Sequence, residues 1–134
     1  MSQFARVLEP GLFARTFESL FNSGSLDAVA SLYTDASVLH LGGVNVLRGL
    51  HAIRTGLGTF LAPRLPIAVT PRFHSAAGGT AVVAFDWIID GVGPDGNPFR
   101  LGGRAFDVLA RQEDGSWRQL LDQPFGAETL SEDG

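Results

Sequence analysis

Residues 80–124 read TAVVAFDWIIDGVGPDGNPFRLGGRAFDVLARQEDGSWRQLLDQP, and this stretch decides the fold. Apolar residues alternate along it: Phe85, Trp87 and Ile89 share one side, and Val82, Ala84 and Ile88 the other. That period of two is the signature of a strand. Pro94-Asp95-Gly96 and Asp114-Gly115 are turn formers, and they divide the stretch into strands at about 80–91, 98–111 and 116–124. A further strand, about 67–74, ends before Gly78-Gly79. Together these predict an antiparallel meander.

Working upstream, the period changes to that of helices. Pro10 suits a first helical turn, where its missing N–H costs nothing. Phe13, Phe17, Leu20 and Phe21 then line one helical face, and Asn22-Ser23-Gly24 ends it. Ser25 is placed to cap a second helix carrying Leu26, Val29, Leu32 and Tyr33. Residues 36–41 alternate as a short strand, with Val38 and His40 on one side and Leu39 and Leu41 on the other. Gly42-Gly43 reads as a turn and Val44 to Leu47 as a brief strand. A third helix carries Leu50, Ile53, Leu57, Phe60 and Leu61 on one stripe. Its Gly56 and Gly58 either permit close packing or fray it, at roughly 1 kcal/mol each against Ala. Helices followed by a meander predict an α+β chain with helices on one face of the sheet. The long strands are apolar on both faces, so the second face also needs cover. A second copy of the chain is the simplest source, which predicts a homodimer through the sheet.

Composition narrows the chemistry. The chain has 134 residues, no cysteine and 10 basic residues, all of them arginine. Thiol nucleophiles, disulfides, cysteine-bound metals, a Schiff-base lysine and a lysine-bearing phosphate loop are all excluded. A net charge of −4 and a pI near 5.2 disfavour nucleic acid as a partner. No apolar run approaches the ~20 residues of a membrane span. No signal peptide is recognisable at the N-terminus, which predicts a cytoplasmic protein. His40, His51 and His74 lack metal-ligand spacing, so neither a metal nor a cofactor is expected. Gly91-Val92-Gly93-Pro94-Asp95-Gly96 matches a dinucleotide-binding pattern, but it joins two strands and opens no helix, so it reads as a hairpin loop. One domain is expected over residues 1–126, followed by a flexible acidic tail, AETLSEDG, at 127–134.

The order of elements, with YTDASVLHLGG at 33–43, LRGLHAIRTGL at 47–57 and RAFDVLARQEDGSWRQLLDQPFG at 104–126, resembles the nuclear transport factor 2-like superfamily. The likeness is to its SnoaL-like and ketosteroid isomerase-like members, and it covers nearly the whole chain. It implies a cone-shaped roll: a strongly curved mixed or antiparallel sheet wrapped around three N-terminal helices, with an apolar cavity at the open end. Members of this superfamily often dimerise through the sheet. The resemblance also implies three site positions. His40 falls where ketosteroid isomerases carry a carboxylate base. Asp107 matches their protonated, hydrogen-bond-donating Asp. Phe17 matches a donor Tyr but has no hydroxyl. Epoxide hydrolase members place an Arg two residues before the strand Asp, where this chain has Ala105, so their arrangement is not supported.

The residues themselves allow two readings at each position. His40, between apolar neighbours, is either a general base or a rim histidine held by one hydrogen bond. Asp107 and Asp86 interrupt apolar strands. They are either acids whose pKa is raised by burial and mutual repulsion, or partners of Arg104, Arg111 or Arg118. An even-numbered hairpin loop puts the two on one sheet face, and an odd-numbered loop separates them. Asp122 reads better as an Arg partner. Phe17, Tyr33, Phe60, Trp87 and Trp117 are candidate walls for a ligand, or else core.

The leading expectation is a cofactor-free enzyme or binder for a small apolar organic compound. Its chemistry would be proton transfer of isomerase, cyclase or dehydratase type on a carbonyl-containing or cyclic molecule. His40 would move the proton, neutral Asp107 would stabilise the oxyanion, and Asp86 would tune Asp107. The alternative is a non-catalytic ligand-binding or dimeric interaction module. A pocket over ~300 Å³ with His40 and Asp107 converging on it favours the enzyme. A closed apolar pocket with His40 outside favours the binder, and a cavity filled by side chains favours a scaffold.

Overall fold

A computed structural model describes residues 4–42 and 44–126. The expected acidic tail at 127–134, and Gly43 of the first glycine turn, lie outside the described residues. A 3-10 turn at Pro10–Leu12 leads into helix α1, Phe13–Asn22, which buries Phe13, Ala14, Leu20 and Phe21. Ser25 caps α2, Leu26–Ala30, by accepting a hydrogen bond from the Ala28 N–H at 3.1 Å. Strands β1, Tyr33–Gly42, and β2, Asn45–Arg48, come next, followed by α3, Leu50–Leu61. The meander consists of β3, Ile67–Ala77; β4, Thr80–Val92; β5, Pro98–Arg111; and β6, Trp117–Asp122.

These strands make one six-stranded sheet in the order β2-β1-β6-β5-β4-β3. Only β1 and β6 run parallel, so the sheet is mixed. The fold is α+β, and shifts of register in β1, between β3 and β4 and between β5 and β6 give the sheet its curvature. Helix α1 packs on β3, and α3 packs on β1 and β2. Along β4 the alternation holds as expected: Ala81, Val83, Phe85, Trp87 and Ile89 are buried under the helices, with Val82, Ala84, Asp86 and Ile88 half-buried on the outer face. That outer face also exposes Phe106.

Tyr33 opens β1 and does not end the second helix. The Gln119 N–H donates to the Leu32 carbonyl at 2.7 Å, and Tyr33 pairs with Gln119, so sheet pairing captures the chain a few residues earlier than helical spacing implied. The two helical glycines differ. A Cβ on Gly56 would lie 2.5 Å from Leu47 Cδ1, whereas one on Gly58 meets nothing within 4 Å. Gly56 therefore permits close packing of α3 on β2, and Gly58 does not. Among the described residues, no helix is long and apolar enough to cross a membrane.

Candidate functional site

Between α1, α3 and the inner sheet face lies an apolar cavity of about 40 Å³. Phe17, Phe21, Leu39, Phe60, Phe85 and Trp87 are among its walls. Phe21 also borders a broader outer hollow of about 550 Å³ between the ends of α1 and α3. Tyr33, Gln119 and Asp122 bring polar side chains to the floor of the inner cavity. Asp107 is fully buried directly behind them.

Strand pairing brings this floor together. Asp107 lies opposite Val83, whose side chain is buried, so it shares the inner face of β5. On β6, Trp117 and Gln119 point inward. Regular alternation would then turn residue 121 inward and Asp122 outward. The register shifts between Leu109↔Gln119 and Val108↔Leu121, making Leu120 an extra residue. This bulge turns Asp122 inward beside Gln119. On β1, Tyr33 reaches the same point, and its hydroxyl donates to Asp122 Oδ2 at 2.5 Å. Asp107 accepts from Gln119 Nε2 at 2.9 Å and from the Gln123 N–H at 2.8 Å, and it is hydrogen-bonded to Asp122. Ser37 Oγ donates to the Gln119 carbonyl at 2.6 Å and fixes the strand from below. At the rim, Trp87 Nε1 donates to the Pro124 carbonyl at 2.7 Å, and its ring packs against Phe60 and Phe125.

The electrostatics follow from burial. Loss of water pushes the Asp107 carboxyl well above the usual carboxylate range, and the Asp122 charge adds to this. Burial also raises Asp122, to about 6, against the opposing pull of hydrogen bonds from Tyr33 and Asp107. Burial and the neighbouring Asp122 likewise push the Tyr33 hydroxyl above its ordinary value, so it stays a donor. Two carboxyls in contact cannot both ionise cheaply, and the pair shares a proton. Burial and the Asp122 charge favour that proton on Asp107, and Asp122 is the member that faces the cavity.

Several expected site residues lie elsewhere. His40 is half-buried and alternates with Leu39, whose side chain lines the cavity, so His40 sits on the opposite face of β1. Asp86 is also on the outer face. The loop at 93–97 is odd in length, so Asp86 lies opposite Arg104 and is separated from Asp107. Asp86 pairs with Arg104 and Arg72, each at 2.6 Å, and hydrogen bonds from these two arginines hold its carboxyl down at about 2. It cannot tune Asp107 from there. Trp117 is buried at the other end of the sheet, its N–H donating to the Val7 carbonyl and its ring under Arg111, so it is not a cavity wall. Phe17, Tyr33, Phe60 and Trp87 do line the cavity. Asp122 was expected to meet an arginine and instead meets Tyr33 and Asp107. Among the described residues, no three His, Asp or Glu side chains cluster as metal ligands.

The geometry sets this chain among the α+β cones with an apolar cavity inside a curved sheet. A family model for the SnoaL-like domain matches residues 13–120, and the chain belongs to that family. Its fold is similar to that of a ketosteroid isomerase-like protein from Erwinia carotovora atroseptica, with a TM-score of 0.72 at 19% identity, covering 87% of this chain and 91% of that one. It is also similar to an NTF2-like protein with a cystatin-like fold from Novosphingobium aromaticivorans, with a TM-score of 0.68 at 18% identity, covering 85% and 76%. No curated protein sequence matches the chain.

Proposed function

We propose that the protein takes a small, mostly apolar carbonyl-containing or cyclic compound into the inner cavity and moves a proton on it. Asp122 is the general base, and Asp107 positions it and holds its proton-sharing partner role. The observation that carries this reading is a buried carboxyl, poised at about 6, at the floor of an otherwise apolar cavity. At neutral pH Asp122 is mostly ionised, yet basic enough to accept a proton from an activated carbon. Tyr33 stays hydrogen-bonded to it and fixes its direction. The inner cavity has room for about one water, so a ligand enters by displacing the half-buried Phe60 or by opening toward the outer hollow past Phe21.

The test is deuterium uptake from D2O at the carbon beside the carbonyl of small cyclic ketones, followed by proton NMR. The wild-type chain is expected to accelerate exchange, and Asp122→Asn to lower the rate by at least ~10²-fold. Exchange no faster than buffer, or equal in Asp122→Asn, contradicts the reading. Two observations favour the alternative, a non-catalytic binder or interaction module: the inner cavity is only about 40 Å³, and His40 lies on the opposite face of β1. That reading predicts ketone binding without exchange. We also propose that the outer sheet face, with Val82, Ala84, Ile88 and Phe106, is covered by a second copy. Light scattering at micromolar concentration is expected to give a dimer mass, and a monomer mass contradicts it.

A further inference from the structure

Gln119 is 1% exposed and lines the cavity beside Asp122, with Asp107 behind it. One N–H of its Nε2 donates to Asp107 Oδ2. Its Oε1 is buried and has no hydrogen-bond partner among the described residues. A buried acceptor left unpaired is costly, so an occupant that satisfies it gains what the empty site lacks. The other polar liners add to the same demand. Asp122 presents acceptor oxygens to the cavity, while the Tyr33 hydroxyl is already spent on Asp122. At this floor the unpaired group is therefore an acceptor, one that a donor on the ligand would satisfy.

We infer that the cavity selects a ligand bearing a hydroxyl or N–H group, and that Gln119 Oε1 is the specificity-determining acceptor for it. This rests on the cavity being the ligand site, as proposed above. The substrate class narrows to a carbonyl-containing or cyclic apolar compound that also bears a hydroxyl or N–H group, which meets Gln119 Oε1. A resident water would meet the same need at Oε1, and the two sources predict different selectivity. A water that stays leaves the cavity indifferent to a ligand hydroxyl. A ligand hydroxyl that replaces it produces a preference.

Phenol and toluene, nearly equal in shape, separate these cases by calorimetric titration of the full chain. Wild type is expected to bind phenol at least tenfold more tightly than toluene. Gln119→Glu, protonated beside two buried carboxyls, keeps a donor toward Asp107 and an acceptor toward the cavity, so it should keep the preference. Gln119→Met should bind the two within about threefold of each other. If Gln119→Met fails to fold, the wild-type NMR spectrum still decides: phenol should shift the Gln119 side-chain amide signals, and toluene should not. Equal binding of phenol and toluene by wild type overturns the inference and leaves the ketone-exchange reading standing. So does a preference retained by Gln119→Met, which assigns the acceptor to Asp122. Binding of neither compound overturns the cavity reading as well.

Discussion

Tyr33, Asp107, Gln119 and Asp122 act as one hydrogen-bonded unit, and each has a distinct task. Asp107 accepts from Gln119 and the Gln123 N–H, while burial and the Asp122 charge favour its protonated form, out of reach of the cavity. Asp122 faces the cavity and takes the direct role. The sequence pointed to Asp107 because an acid in an apolar strand must be paired or neutral, and that reasoning holds. It pointed to Asp107 as the group touching substrate, and that does not, because its neighbours stand between. Tyr33→Phe removes a hydrogen bond to a charged group and should cost about 1.5–3 kcal/mol in urea unfolding. The same change should raise the Asp122 pKa above 6, since the Tyr33 hydroxyl holds it down. An unchanged midpoint and pKa would show that this bond does not steady Asp122.

At the scale of elements, the bulge at Leu120 decides which acid reaches the site. Sequence patterning reads strands with a strict period of two, and a one-residue insertion reverses every side chain beyond it. Nothing in LLDQP marks that insertion, so Asp122 read as a partner of arginine. Asp86 went astray for the related reason that loop parity was open. Once the 93–97 loop proves odd, Asp86 must face out, where Arg72 and Arg104 meet it. In α3 the two glycines give a paired prediction. Gly58→Ala fills open space and should stabilise by about 0.5–1 kcal/mol through helix propensity. Gly56→Ala should gain less or lose stability, because its Cβ would press on Leu47. Thermal melts of the two variants check this, and equal gains would contradict the close packing of α3 on β2.

The order of elements was legible in the chain from end to end, and so were the apolar faces of its regular elements. β4 and α1 are regular, and their periodicity is undisturbed. The site was legible only in part, since it depends on contacts among β1, β5 and β6 that no local pattern records. The same buried acids shape the pH response of the whole molecule. Asp122 and Asp107 have pKa values raised on folding, so the folded state holds their protons more tightly than the unfolded chain. Stability from these groups is full below the ordinary carboxylate pKa near 3.8 and declines as pH rises through about 6. The half-buried Asp86 opposes this only at acid pH, where its contribution is lost as pH falls from 3.8 toward about 2. Melting temperature should therefore fall between pH 4 and 7. A profile that rises through this window would mean that the acids are not buried as a pair.

The most direct measurement is the titration of the aspartate carboxyl carbons by ¹³C NMR in wild type and Asp122→Asn. One buried carboxyl should titrate near 6 and vanish from the spectrum of Asp122→Asn, while Asp107 stays protonated well above the usual carboxylate range. All aspartates titrating at or below the ordinary value of 3.8 would contradict the shared-proton pair and the general base built on it.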